Sequence, residues 1–213
     1  TSFDVSTATF VDSFSVAAQD ATPTGVAFNT DGTKMFVVGI ANDSVYEYTL
    51  STGFDVSTSV FSQSFSVASQ ETNPFGLAFS TDGTKMFVVG STGDDVNEYT
   101  LSTGFDVSTA SFVDSFSVSA QETSPQGITF NTDGTKMFIT GTSGNDVNEY
   151  ALSTGFDVST ASFTDSFSVA SQETSPRGVV FNPSGTKMFV VGNDSSTVYE
   201  YLTISSLALG TGS

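Results

Sequence analysis

The sequence predicts an all-β chain, a β-propeller of four blades, and three observations carry that prediction. The first is a fixed step. "NTDGTKMFVVG" from Asn29 returns as "STDGTKMFVVG" from Ser80, "NTDGTKMFITG" from Asn131 and "NPSGTKMFVVG" from Asn182, each 51 residues after the last. A period of this size marks a repeat architecture. The second is the content of one repeat: four strand-length runs rich in Val, Ile, Phe, Tyr and Thr, parted by Gly, Asn, Asp or Pro. The third is the lack of any sustained helical period in a chain rich in Ser, Thr and Gly. Four antiparallel strands per repeat is the pattern of a propeller blade.

Read from Pro125, "QGITF" is an inner strand, "TKMFITG" a second strand after the turn "NTDG", and "DVNEYAL" a third. "ASFTDSFSVA" is an outer strand after the loop "STGFDVST". Inner strands are expected near 25–29, 76–80, 127–131 and 178–182, and second strands near 34–39, 85–90, 136–141 and 187–192. Third strands fall near 45–50, 96–101, 147–152 and 198–203, and outer strands near 9–17, 60–68, 111–119 and 162–170. The first outer strand precedes any inner strand, and the last blade has none of its own. The N-terminal strand is therefore expected to pair with residues near 198–203 and close the ring, which removes an open edge. The blades are then 23–68, 74–119, 125–170 and 176–203 plus 9–17. They form one propeller over 1–203, with a tail over 204–213. A closed monomer is the preferred form; the same pairing between chains would give swapped dimers or a filament.

With no Trp, the 21 Phe must fill the wedges between sheets. Strict alternation puts Phe112, Asp114, Phe116 and Val118 on one face of an outer strand and Val113, Ser115 and Ser117 on the other. Phe3, Phe54, Phe105 and Phe156 are expected to anchor the loop before that strand.

Composition excludes several function classes. The formal charge is -18, from 23 acids against 5 bases, and such a surface repels nucleic-acid phosphates and anionic membranes. No run of about 18 apolar residues suggests a membrane span. There is no Cys, so no disulfide is needed. Thr1 opens partway through a repeat and reads as a processed or trimmed start.

"SPQGITFNTDGTKMFITG" followed by "NDVNEYALST" resembles the repeat of lactonase-like and YVTN-type β-propellers, and also repeats of uncharacterised marine bacterial and phage proteins. The resemblance covers about residues 9–203 and implies the propeller fold; a fold of this kind hosts many activities. The lactonase members imply a metal-bound active site, for which this chain shows no matching ligand set. Where the family's third strand carries a further apolar residue, this chain has Glu47, Glu98, Glu149 and Glu200.

Those glutamates face four of the five basic residues. Lys34, Lys85, Lys136 and Lys187 open the second strands, and hairpin pairing sets each near the glutamate of its own blade. The preferred reading is a repeated structural ion pair within each blade, Lys34–Glu47, Lys85–Glu98, Lys136–Glu149 and Lys187–Glu200, over a ligand site. The turn "NTDGT" offers oxygens to calcium, but too few, and its Gly suits a tight hairpin instead. Asp20, Glu71, Glu122 and Glu173, with Asp43, Asp94, Asp95, Asp146 and Asp194, gather on one loop face. A solvated rim is preferred there over a cation site, with calcium the cofactor to consider. At the opening of the inner strands, Arg177 replaces Thr24, Phe75 and Gln126.

Catalysis is not expected. With no His and no Cys, a Ser nucleophile lacks its usual base and a His/Cys metal site is impossible. No phosphate-cradling motif is present. "NDS" at Asn42 and Asn193 fits a glycosylation signal. The expected role is a non-catalytic extracellular or surface-associated module, structural or adhesive, filament-forming or virion-associated. Its partner would be a protein or glycan, with self-association open through the N-terminal strand. The alternative is a cation- or glycan-binding propeller that uses the acidic face.

Overall fold

The computed structural model describes residues 9–203. Blade 1 holds β1 (Pro23–Phe28), β2 (Lys34–Gly39), β3 (Ser44–Leu50) and β4 (Ser59–Ser66). Blade 2 holds β5 (Pro74–Phe79), β6 (Lys85–Gly90), β7 (Asp95–Leu101) and β8 (Ala110–Ser117). Blade 3 holds β9 (Pro125–Phe130), β10 (Lys136–Gly141), β11 (Asp146–Leu152) and β12 (Ala161–Ser168). Blade 4 has β13 (Pro176–Phe181), β14 (Lys187–Gly192) and β15 (Val198–Leu202). Each sheet is an antiparallel meander, four-stranded in three blades and three-stranded in the last.

The first hairpin of each blade is set by its turn. Gly32 adopts φ 72°, a conformation open to glycine without strain. Asp31 Oδ1 accepts from the Thr33 amide at 3.0 Å, and Asn29 Oδ1 accepts from the Lys34 amide at 2.9 Å. The aspartate is thus consumed inside the turn.

The core lies between blades. Phe36, Val38, Val45 and Val67 of blade 1 pack with Leu77, Met86, Val88, Tyr99, Leu101 and Val107 of blade 2. Blades 2 and 3 repeat this with Phe87, Val89, Val96 and Val118 against Ile128, Met137, Tyr150 and Val158. Inner strands approach closely because each carries a glycine at the contact. A Cβ on Gly25, Gly76 or Gly127 would meet the carbonyl oxygen of Phe75, Gln126 or Arg177 at 2.6–2.8 Å.

Among the described residues the ring does not close. β1 packs on β5, β5 on β9 and β9 on β13, and no comparable contact returns from β13 to β1. The expected latch is corrected: residues 9–16 form no strand, and among the described residues the β15 edge carries no fourth strand. Phe10 and Val11 are exposed, while Phe14 meets the ring of Tyr48 edge-on at 5.6 Å. Phe65 meets Tyr99 at 5.5 Å and Phe116 meets Tyr150 at 5.6 Å in the same manner. The N-terminal segment therefore lies where the fourth strand of a preceding blade would lie. Strand counting assumed that the arc brings β15 to it, and the spacing of the inner strands does not.

Strict alternation in the outer strands is also corrected. Tyr99 pairs with Phe112 but Glu98 pairs with Asp114, so Val113 bulges. One extra residue turns the strand over. Phe112 then stays on Tyr99 of its own blade at 5.8 Å, while Phe116 faces Tyr150 of the next. The other outer strands bulge at Ser62 and Thr164. Short 3-10 turns at Val56–Thr58, Val107–Thr109 and Val158–Thr160 precede them, capped by Asp55, Asp106 and Asp157.

Candidate functional site

Two of the four Lys–Glu pairs reach beyond their own blades. Lys34 Nζ lies 2.8 Å from Glu47 Oε1 and donates to the carbonyl oxygen of Phe105 in blade 2 at 2.5 Å. Glu47 Oε2 accepts from Gln63 Nε2 at 2.8 Å and from the Val107 amide at 3.1 Å. The ammonium and the carboxylate together hold both sides of the "FDV" segment of the next blade. Blade 2 repeats this on blade 3: Lys85 is 2.7 Å from Glu98, Lys85 Nζ donates to Phe156 O at 2.6 Å, and the Val158 amide donates to Glu98 Oε2 at 2.9 Å.

The held phenylalanine completes a trio of rings. Phe36, Phe79 and Phe105 lie with centroids 4.4–6.1 Å apart. Phe87, Phe130 and Phe156 repeat the trio at 4.5–6.3 Å. Lys136–Glu149 and Lys187–Glu200 form pairs of 2.7 and 2.6 Å, but their glutamates are 29% and 47% exposed, against 2% and 3% for Glu47 and Glu98. Hairpin spacing in the sequence points to the pair but not to Gln63, the Phe105 carbonyl or the Val107 amide, although "FDV" recurs at the 51-residue step.

The acidic loop face is not a solvated rim. Asp20, Glu71, Glu122 and Glu173 are buried. Glu122 accepts from the amides of Ser124, Ser143 and Gly144 at 2.7, 3.0 and 2.9 Å. Glu71 takes Asn73 N at 2.7 Å and Thr92 N at 3.2 Å, and Asp20 takes Thr22 N at 2.7 Å. Glu173 holds Ser175, Asp194 and Ser195 likewise, and the Ser195 hydroxyl lowers its pKa. Each carboxylate sits where a Cβ on Gly39, Gly90, Gly141 or Gly192 would clash with it. These acids tie the loop after the second strand to the loop before the first.

The remaining acids lie at the same end. Asp43 and Asp94 have positive φ, 48° and 51°, and each buries an Oδ1 with no partner. Burial, then Glu71 and Glu122, raise the Asp94 carboxyl above its ordinary range. Asn145 occupies the equivalent turn. In the orientation that satisfies its neighbours, its amide nitrogen donates to Thr174 O at 2.7 Å and Thr142 O at 3.2 Å. Asp95 and Asp146 accept from Asn97 and Asn148 at 2.8 Å, and burial raises both. Asp194 accepts from the Thr174 hydroxyl. Among the described residues no three acids converge to hold a metal ion.

The same end carries the axial mouth. Thr24 Oγ1 donates to Pro74 O of the next blade at 2.9 Å. Gln126 is buried, and its Oε1 accepts from Arg177 Nη1 at 3.3 Å; the arginine itself is exposed. The register pairs Pro74 with Gly90 and Gly90 with Asp95, which places the mouth and these acids at one end of each sheet. Among the described residues, no helix is long and apolar enough to cross a membrane.

Comparison with known proteins adds three findings. The family model for lactonase, 7-bladed beta-propeller, matches residues 17–205. A search of curated proteins finds no match. Among solved structures, a protein from Lactobacillus plantarum is similar at TM-score 0.61 and 18% identity, covering 84% of this chain and 50% of that one. The Pseudomonas aeruginosa periplasmic gluconolactonase gives 0.56 and 17%, over 84% and 49%. A structure from Bacteroides uniformis, provisionally named a 6-phosphogluconolactonase, gives 0.58 and 17%, over 85% and 51%. The chain spans about half the length of these structures, and at such identity they share the fold. The family match overturns the expectation of a non-catalytic structural or interaction module, and its alternative of a cation- or glycan-binding face. From the match over residues 17–205, the chain belongs to the lactonase, seven-bladed β-propeller family.

Proposed function

We propose that this protein hydrolyses a lactone at the axial mouth of its blades. The family match over most of the chain carries this reading, and the names of the similar structures point to sugar-acid lactones. Arg177, the single arginine of the chain, stands exposed at the mouth and is oriented by Gln126. A guanidinium there suits the oxygen that becomes negative as the carbonyl is attacked, or an anionic substituent on the substrate. Asp95 and Asp146, made more basic by burial, suit the proton of the attacking water. Water adds to the carbonyl carbon, the ring C–O bond breaks, and the released alkoxide takes the proton to give a hydroxy acid. A periplasmic or extracellular site of action fits the location named for one similar structure.

The test is lactone consumption by the purified chain, followed by pH-stat on glucono-δ-lactone and its 6-phosphate. Hydrolysis above the buffer rate is expected, with Arg177→Ala lowering kcat/KM at least about tenfold at unchanged melting temperature, equivalent to about 1.4 kcal/mol. No acceleration by folded parent protein on either lactone contradicts the proposal.

A further inference from the structure

The junctions of blade 1 with blade 2 and of blade 2 with blade 3 are copies of one design, and the two ends of the arc carry the two halves of a further copy. On the outward side of blade 4 stand Lys187, Glu200 and Phe189, the counterparts of Lys34, Glu47 and Phe36. Lys187 and Glu200 are paired at 2.6 Å and half exposed, and Phe189 is half-buried where Phe36 is fully covered. Blade 1 offers what such a group binds elsewhere. Phe28 and Phe54 lie with tilted rings 5.6 Å apart, as Phe79 and Phe105 do at 5.6 Å, and Phe54 is 62% exposed. Among the described residues the pair has no third ring of the kind that Phe36 and Phe87 supply at the first two junctions.

The N-terminal segment is already placed for the same junction. Phe14 sits on Tyr48 in the arrangement that fourth-strand phenylalanines adopt on the tyrosine of the following blade. The open edge of β15, with Val198 and Leu202 exposed, is the edge such a strand would take. By the register of β3 and β4, Tyr199 would stand opposite Ser13 and Val198 opposite Phe14.

We propose that two copies of this chain associate head to tail, blade 4 of each against blade 1 of the other. Residues 9–16 of each copy then form the fourth strand of the last blade of the other, and an eight-bladed ring closes about a two-fold axis. The contact is heterologous, and two four-bladed arcs close at eight blades, one more than the family model has. Eight blades lie within the range the architecture adopts. Each Lys187–Glu200 pair would hold the Phe54–Val56 segment of the second copy, with Phe189 completing the Phe28–Phe54 trio. This proposal does not rest on the lactonase reading.

Sedimentation equilibrium of the full chain tests it first. The expected mass is twice 22.2 kDa, and Phe189→Asp should give a folded monomer. A parent that stays monomeric at 0.1 mM, or whose mass grows past two copies with concentration, overturns the ring. So does a dimer that Phe189→Asp leaves intact. Because the chain has no Cys, a disulfide identifies the pairing. Ser13→Cys and Tyr199→Cys chains, mixed and oxidised, should give a cross-linked species containing both, well above the yield of either alone; position 199 matches Asn97 and Asn148 in other blades, so Tyr is not required there. Failure of that cross-link between folded chains, or an internal disulfide in the doubly substituted monomer, overturns the exchange between copies.

Discussion

Lys34 Nζ donates to the carbonyl oxygen of Phe105, 71 positions further along the chain, while it lies 2.8 Å from Glu47. Lys34, and Lys85 through Phe156, therefore join blades as well as strands. A buried carboxylate with one ammonium would gain little over its lost hydration. Glu47 gains two further donors, Gln63 of its own blade and the Val107 amide of the next, so its hydrogen bonding is completed as the next blade docks. Blade docking and charge burial are one event.

Removing the lysine alone should show this. Lys85→Met leaves Glu98 buried with the Val158 amide as its donor but without its counter-ion. We expect a loss of about 3 kcal/mol, the low end for a broken buried pair, because the ammonium keeps some solvent access. Lys85→Met with Glu98→Leu should recover much of that. Denaturant unfolding of the four cycle members measures the coupling; additive effects count against the clamp.

Much of the fold was legible in the sequence because the 51-residue step carries turn chemistry with it. Asn29, Asp31 and Gly32 set a hairpin that Asn131, Asp133 and Gly134 set again. Closure was not legible. It depends on how near Gly25, Gly76 and Gly127 let successive inner strands approach, which is a packing distance and not a pattern. The bulge at Val113 escaped for a similar reason, since Phe112 and Phe116 look in phase until one residue is left unpaired. At the candidate site, "QET" reads as polar surface. The signal for burial was Gly39, Gly90, Gly141 and Gly192, whose missing Cβ makes room for each carboxylate. The mouth residues Gln126 and Arg177 were visible only as a break in the repeat.

The buried acids carry their own prediction. Glu122→Gln keeps the shape and removes the charge that three amides share. Charge-assisted bonds of this kind are worth more than neutral ones, and a loss of about 2–3 kcal/mol is expected. A melting temperature equal to the parent's would place Glu122 among solvated surface acids, whose replacement shifts stability by about 0.5 kcal/mol or less.

Asp94 should behave in the opposite sense. Its folded pKa is raised above the ordinary 3.8, so the native state holds the proton longer than the unfolded chain does. Stability from this group is full below 3.8 and falls as pH rises through the folded pKa. At neutral pH the ionised form leaves Oδ1 buried and unpartnered. Asp94→Asn should bring the donor that Asn145 already supplies in blade 3, and stabilise by about 1 kcal/mol at pH 7. The gain should shrink as pH falls through the folded pKa towards 3.8 and change no further below it, measured by urea midpoints across pH.

Amide exchange at Val107 and Val158 tests the clamp between blades most directly. Each amide donates to a glutamate of the preceding blade, Val107 to Glu47 at 3.1 Å and Val158 to Glu98 at 2.9 Å. Both should be strongly protected in the parent. Glu98→Leu should speed exchange at Val158 about tenfold or more, the effect of about 1.4 kcal/mol, and leave Val107 protected. Unchanged exchange at Val158 in a folded Glu98→Leu chain would contradict the account.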